Sequence, residues 1–278
     1  MELINQWVQL LSESTPRLLG LAAWLLIIML LLTPLERLWP VKKQKVFRKN
    51  FIDDLFYYFM GGIIPAFFVV AILYPAKLVQ TQLPQSVYFW VGELPFWCRL
   101  AATLVLGEIA YYWAHRWSHE VPYLWRFHSI HHSPTEIDWL VNTRAHPIDL
   151  AFDRSVSSSF LLLVGLGHRA NSDILDLVAM ILIFNTTWGF FIHTNCRIRL
   201  GFLEYLITSP AFHHWHHAND NPEVINKNYS ALLPWVDKLF GTFYLPRHQL
   251  PQQYGINNPI PDTLVDELLM PFRKRTSK

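Results

Sequence analysis

The sequence predicts an all-α integral membrane protein: a bundle of about four to five membrane helices with a histidine-rich helical cap on the cytoplasmic side. Of its 278 residues, 52% are hydrophobic and only 16% are charged, whereas soluble domains average about 25% charged. Apolar runs long enough to cross a bilayer recur along the chain. In addition, twelve of its thirteen histidines lie between His115 and His217.

The apolar runs define the candidate membrane helices in chain order. A bilayer core needs about 20 mainly apolar residues, and glycine or proline inside a span is tolerated where neighbouring helices satisfy the freed backbone groups. We interpret the whole chain, 1–278, as one membrane domain, in which residues 115–150 and 193–245 form the cap. The candidate helices are residues 18–32, 55–74, 94–113, 155–167 and 174–192.

The distribution of basic residues predicts the orientation, because loops rich in lysine and arginine stay on the cytoplasmic side. One basic group follows the first apolar run, at Lys42, Lys43, Lys45, Arg48 and Lys49. A second is the tail, with Arg273, Lys274, Arg275 and Lys278. Counting spans from the first group places every dense histidine group on the cytoplasmic side.

The small net charge of +2 gives no indication of nucleic-acid binding.

The histidines form three groups with one spacing logic. His115 and His119 are four residues apart, whereas the motifs HSIHH and HHWHH each place histidines at i, i+3 and i+4, offsets that share one face of a helix. His193 follows directly on the last long apolar run. So many nitrogens exceed what one ion can take, and a pair of metal ions is the economical interpretation. The predicted ligands are His115, His119, His128, His131, His132, His193, His213, His216 and His217, with His146 and His214 left open.

Two known metal-binding patterns are missing from the sequence, and this restricts the choice of metal. The chain has neither the H-E-x-x-H pattern of zinc proteases nor the E-x-x-H pairs of soluble di-iron bundles. A histidine-only set favours a redox-active pair, with iron as the first choice, while spacing alone leaves zinc and copper open.

Several motifs together resemble the fatty acid hydroxylase superfamily, also called the sterol desaturase family. They are HRWSH, LWRFHSIHHSP, the RAHP of residues 144–147, SPAFHHWHH, the pair Asn228-Tyr229, and WVDKLFGTFY of residues 235–244. The likeness covers roughly residues 50–246. It implies a membrane helical bundle with a cytoplasmic cap and O₂-dependent hydroxylation or desaturation of a membrane lipid, such as a fatty acyl chain, a sterol or an ether lipid.

The resemblance also implies cofactors and partners. Two Fe²⁺ ions would be held by the histidines, with O₂ as co-substrate and electrons from a separate reductase, ferredoxin-like or cytochrome b5-like protein. We expect at least two carboxylates to accept hydrogen bonds from the histidine rings. A compact chain without a fused donor domain fits a bacterial inner membrane better than the endoplasmic reticulum. The candidate carboxylates are Glu108, Asp138, Asp149, Asp153, Asp220 and Glu223.

Two other function classes stay open on the sequence. A zinc-dependent membrane hydrolase would activate water and need no O₂. A metal carrier would place histidine, aspartate or methionine inside the spans, along a path. In this chain the histidines follow the ends of the apolar runs, which disfavours the carrier.

Overall fold

The computed structural model describes residues 2–166, 174–258 and 260–273, and in stretches 2–14, 65–72 and 174–179 the backbone alone. Within this part the chain forms no strand, and two isolated bridges, Pro40–Cys196 and Ala218–Tyr254, are its only β pairing. The predicted all-α class is therefore confirmed. The α-helices are α1 (Glu2–Leu38), α2 (Phe51–Ile63), α3 (Pro65–Gln82), α4 (Gln85–Gly92), α5 (Phe96–Glu120), α6 (Pro122–His128), α7 (Pro147–Leu163), α8 (Ile174–Ile192), α9 (Pro210–His216), α10 (Pro234–Leu239) and α11 (Leu264–Leu269).

The first candidate span, residues 18–32, lies inside α1. The segment Thr15–Leu38 is long and apolar enough to cross a membrane, and only 6% of its most apolar stretch is buried against the rest of the chain. Its packed side is marked by Ile28, which lies in one cluster with Tyr58 of α2 and Phe190 of α8. The helix therefore offers most of its apolar surface to its surroundings.

The next two candidate spans have other boundaries than predicted. Residues 55–74 are divided between α2 and α3, which begins at Pro65, a residue that has no backbone N–H to donate to the preceding turn. Of residues 94–113, all but the first two lie in α5, which begins at Phe96, continues to Glu120 and follows α4 at a bend of 117°. Among the described residues, length and composition thus support one spanning helix, or two if α4 and α5 form a single bent span.

The last two candidate spans differ in how well they match. Residues 174–192 coincide with α8. Residues 155–163 form the second part of α7, which already begins at Pro147 and ends at Leu163, while Gly167 and the connection to α8 lie outside the described residues. The same holds for Lys274, Arg275 and Lys278 of the basic tail.

Two features bring the histidine-bearing segments together. The helix α5 packs against α6 and α8, and α8 packs against α9. The ends of α1 and α8 are joined, because Arg197 donates its backbone N–H to Trp39 and the Asn195 side chain bonds both backbone groups of Lys42. The C-terminal ends of α1 and α8 therefore lie side by side.

A buried ion network joins three distant segments of the chain next to this junction. Arg48 binds Asp54 and Asp138, at 2.6 and 2.8 Å. Arg144 binds the other oxygen of Asp54 at 2.9 Å and also Glu267 of α11. All five side chains are almost completely buried. The C-terminal segment is thus attached to the cap by charge in a region of low dielectric constant.

Candidate metal centre

Helix and turn geometry explains how each histidine group presents its rings. His115 and His119 lie in the last turns of α5. The helix α9 begins at Pro210, and the Ser209 side chain caps it by accepting from the N–H of Phe212, so that the HHWHH motif occupies its final turn. In HSIHH, α6 ends at the first histidine. The other two follow in turns whose N–H groups bond the carbonyl of His128, which preserves the helical spacing.

The nine predicted ligand positions come together in two adjacent groups. Within each group, one nitrogen per ring lies within 4.8 Å of every other. Eight of the rings are buried and His119 is half-buried. The five-histidine group is His115, His119, His128, His132 and His216, and the four-histidine group is His131, His193, His213 and His217.

The proton positions in the five-histidine group leave lone pairs that face one another. His115 donates its Nδ1–H to the carbonyl of Tyr229 at 2.7 Å, and His128 donates its Nδ1–H to Asp149 at 2.8 Å. Both neutral rings therefore carry their proton on Nδ1. Their Nε2 atoms lie 3.1 Å apart with no proton between them, an arrangement that a cation would stabilise.

Two rings of the four-histidine group show the same pattern. His131 donates from Nδ1 to the carbonyl of Arg144, and His193 donates from Nδ1 to the carbonyl of Gly189. The Nε2 atoms of His193, His213 and His217 lie 2.9 to 3.3 Å from one another. With metal–nitrogen bonds of about 2.1 Å, neighbouring ligands are separated by about 3.0 Å at right angles and 3.4 Å in a tetrahedron.

Unpartnered nitrogens give an independent indication of fit. A buried polar atom without a hydrogen bond is costly and requires an explanation. The Nε2 atoms of His119, His132 and His216 are buried and have no hydrogen-bond partner, while His216 donates its other ring nitrogen to the carbonyl of Lys227. All three belong to the five-histidine group. The donor set therefore fits a metal ion.

Burial also sets the protonation state that coordination requires. Desolvation lowers the pKa of His128 and of His193 to about 3, so both rings are neutral at pH 7. A neutral imidazole is the form that binds metals. These rings are ready to coordinate without first losing a proton.

The two histidines left open on the sequence lie outside both groups. His146 caps α7, accepting from the N–H of Ile148, and donates to the carbonyl of Leu268. His214 accepts from the hydroxyl of Tyr254 and donates to the carbonyl of Thr194. Both ring nitrogens of each residue form hydrogen bonds within the protein. These two histidines therefore stabilise the cap and are not available as metal ligands.

The expectation of at least two carboxylates behind the rings is wrong for the described residues, where Asp149 alone among the six candidates accepts from a histidine ring. Glu108, for example, accepts from the backbone N–H groups of Leu232 and Leu233. In four of the rings a backbone carbonyl, and not a carboxylate, accepts the hydrogen bond from Nδ1. No sequence signal could reveal them, because every residue carries a carbonyl.

Replacing Asp149 by asparagine is expected to weaken metal binding about 10- to 100-fold. The amide keeps the shape but removes the negative charge that holds the Nδ1 proton of His128. Metal affinity, measured by competition with a chelator, tests this. The matched control is Glu223→Gln, since Glu223 is an exposed carboxylate from the same set. Equal affinities in the two variants would contradict the role of Asp149.

Comparisons with known proteins agree with this geometry. The family model described as fatty acid hydroxylase matches residues 100–242, which include all nine histidines. The chain is 30% identical over 249 residues to the ornithine lipid hydroxylase OlsE of Rhizobium tropici, covering 87% of this chain and 72% of that protein. It is 31% identical to the alkylglycerol monooxygenases of Danio rerio and Homo sapiens, covering 65% and 64% of this chain but 39% of each relative. No solved structure matches the chain. The family match and the coverage of the Rhizobium relative show that this chain belongs to the fatty acid hydroxylase family.

Proposed function

We propose that this chain is an O₂-dependent lipid hydroxylase in which the nine histidines hold two iron ions. The observation that carries the proposal is the interleaving of the two histidine groups. The rings of His132 and His217, which belong to different groups, stack with centroids 4.4 Å apart. Two ions in these groups would therefore be close neighbours and could act on the same molecule of O₂.

The reaction proposed is insertion of one oxygen atom into a C–H bond. The overall balance is R–H + O₂ + two electrons + two protons → R–OH + H₂O. When bound, the iron pair would supply the redox chemistry that reduces O₂ and oxidises the C–H bond. Desaturation, which the sequence left open, would remove a second hydrogen instead of adding oxygen. The hydroxylase and monooxygenase relatives support hydroxylation.

The chain's own residues prepare the site for this chemistry. Carbonyl groups and Asp149 hold protons at Nδ1 atoms and so direct Nε2 lone pairs inward. Burial excludes bulk water, which protects a reactive site from side reactions. The substrate proposed is a membrane lipid, since the relatives are named for an ornithine lipid and for alkylglycerols.

The cellular setting forms part of the proposal. We place the chain in a bacterial inner membrane, with four to five membrane helices and the histidines on the cytoplasmic side. The basic loop after α1 supports this orientation. Electrons would come from a separate donor, a reductase, ferredoxin-like or cytochrome b5-like protein.

The zinc hydrolase is the second candidate, and the donor count disfavours it. Catalytic zinc sites use three protein ligands and keep a fourth position for water. Here one group brings together five nitrogens and the other four. Neither is a three-ligand set.

Isotope labelling separates the two candidates. Purified protein loaded with Fe²⁺ is supplied with bacterial membrane lipids and a chemical reductant under ¹⁸O₂, and the lipids are analysed by mass spectrometry. We expect a product carrying one ¹⁸O atom and no product under argon. A zinc hydrolase would work equally under both gases and incorporate oxygen from water. Equal activity of the zinc-loaded protein under argon would therefore contradict the proposal.

A further inference from the structure

An apolar surface lies next to the metal-binding helix α9. It comprises Phe202, Leu203, Tyr205 and Leu206, in and after the 3₁₀ turn Gly201–Tyr205, together with Leu239 at the end of α10. We call these five residues the 202–239 patch. Phe202 is 75% exposed and Leu239 is 65% exposed. Exposed apolar residues gathered in one place mark a contact with a partner or a membrane, whereas single ones do not.

The patch is held in place by a polar frame. Glu204, in the middle of the turn, is buried and accepts from Ser209 Oγ at 2.6 Å and from Arg199 Nε at 3.2 Å. The Tyr205 ring stacks on Phe243, with centroids 5.7 Å apart. These contacts fix the conformation of the turn, so that its apolar side chains are held in an outward-facing position.

The position of the patch indicates a bilayer as its partner. The turn that carries it begins nine residues after α8 ends, and the end of α8 is joined to the end of α1, the one helix among the described residues that is by itself long and apolar enough to cross a membrane. Trp39, at that junction, is 55% exposed. Tryptophan and tyrosine concentrate at membrane–water interfaces, where their rings match the headgroup level.

Basic residues border the patch on the side of this junction and on α10. Arg197 precedes the turn and is exposed, and the ammonium group of Lys238 lies 5.4 Å from the Tyr205 ring centroid, whereas the charge of Arg199 is already paired with Glu204. Cations beside an apolar surface are complementary to a leaflet that contains anionic lipids.

We propose that the 202–239 patch lies in the plane of the membrane, at the headgroup level of the cytoplasmic leaflet, with anionic lipids against its basic border. The inference rests on the proposed function in so far as it takes the chain as membrane-embedded. Because Ser209 both binds Glu204 and caps α9, the leaflet contact holds in position the helix that carries His213 and His216. The metal centre is thereby kept at a constant depth relative to the lipid.

Site-directed spin labelling tests the position of the patch. In a Cys98→Ser background only the buried Cys196 remains, and single cysteines are introduced by Phe202→Cys and, as the matched control, Val265→Cys. Val265, an apolar residue of α11 outside the patch, is 65% exposed, close to the 75% of Phe202. The full chain is reconstituted into vesicles of phosphatidylcholine with phosphatidylglycerol. Collisions of each nitroxide with O₂, which dissolves in the bilayer, are compared with collisions with a water-soluble nickel chelate.

We expect the label at position 202 to collide with O₂ readily and with the nickel chelate severalfold less than the label at 265. In vesicles of phosphatidylcholine alone, or after Arg197→Gln, we expect weaker protection. Equal nickel collisions at the two positions would overturn the proposal. Protection from both probes in a chain that migrates as a dimer would also overturn it, since a second copy would then cover the patch.

The outcome is separable from that of the proposed function. Iron content and ¹⁸O incorporation are measured on the same labelled preparation. A preparation that hydroxylates lipid while its label at 202 is open to the chelate disproves the patch alone. An inactive preparation with a membrane-protected label disproves the function alone.

Discussion

Replacing His131 or His216 by alanine is expected to remove a metal ion from the purified protein and to lower the rate of hydroxylation at least 100-fold. Removing only a residue that hydrogen-bonds a metal ligand already lowers metal affinity or activity about 10- to 100-fold. His131 belongs to the four-histidine group and His216 to the five-histidine group. We expect elemental analysis to find two iron ions per chain in the unchanged protein and about one in each variant.

The control for this experiment is His248→Asn. His248 is exposed, lies outside both groups and has a positive φ of 59°, a backbone conformation that asparagine tolerates. This variant should keep both iron ions and full activity. Unchanged protein without a transition metal, or a His131→Ala variant with two iron ions, would refute the di-iron proposal. Circular dichroism of each variant distinguishes lost metal from lost helix.

The second large effect is expected from Asp54→Asn. Asp54 is fully buried and forms ion pairs with both Arg48 and Arg144. The substitution therefore removes one of the carboxylate charges that balance these two buried guanidinium groups. Removing one partner from a buried ion pair typically costs about 3–5 kcal/mol. We expect the thermal unfolding midpoint in detergent to fall by roughly 10 °C.

The exposed pair Lys49–Asp262 supplies the matched comparison. Its atoms are 2.8 Å apart, as close as those of the buried network, but both side chains are in solvent. Water and salt screen such a pair, and Lys49→Ala should leave the midpoint unchanged. If both variants unfold at the temperature of the unchanged protein, the network contributes nothing measurable to stability.

The buried ion network is also connected to the four-histidine group through Arg144. The carbonyl of Arg144 accepts the Nδ1 proton of His131, while the Arg144 guanidinium binds Glu267 in α11. The loss of stability in Asp54→Asn is therefore expected to be accompanied by weaker metal binding in the four-histidine group. Iron content after heating to just below the midpoint measures this.

The sequence could indicate which histidines come together because their spacing is local. In HHWHH, offsets of three and four residues put rings on one face of any helical turn, whatever surrounds it. His193 was predicted from its place after an apolar run, which is also local information. All nine predicted positions lie in the two groups.

The division of these histidines between two groups could not be predicted. His131 and His132 are neighbours in the sequence, yet they belong to different groups, and the same is true of His216 and His217. Adjacent residues of a helix or turn point about 100° apart. Which ring meets which therefore depends on how α5, α6, α8 and α9 pack.

By itself, the sequence determined the helical class, the family and the residues available for metal binding, because hydrophobicity and short-range spacing act within single segments. The tertiary structure alone decided the acceptors behind the rings and the ion network, such as the pairing of Arg144 with Glu267, 123 residues apart. It also divided residues 55–74 between α2 and α3. Such contacts depend on burial in a shared low-dielectric interior, and no one segment of the chain contains that information.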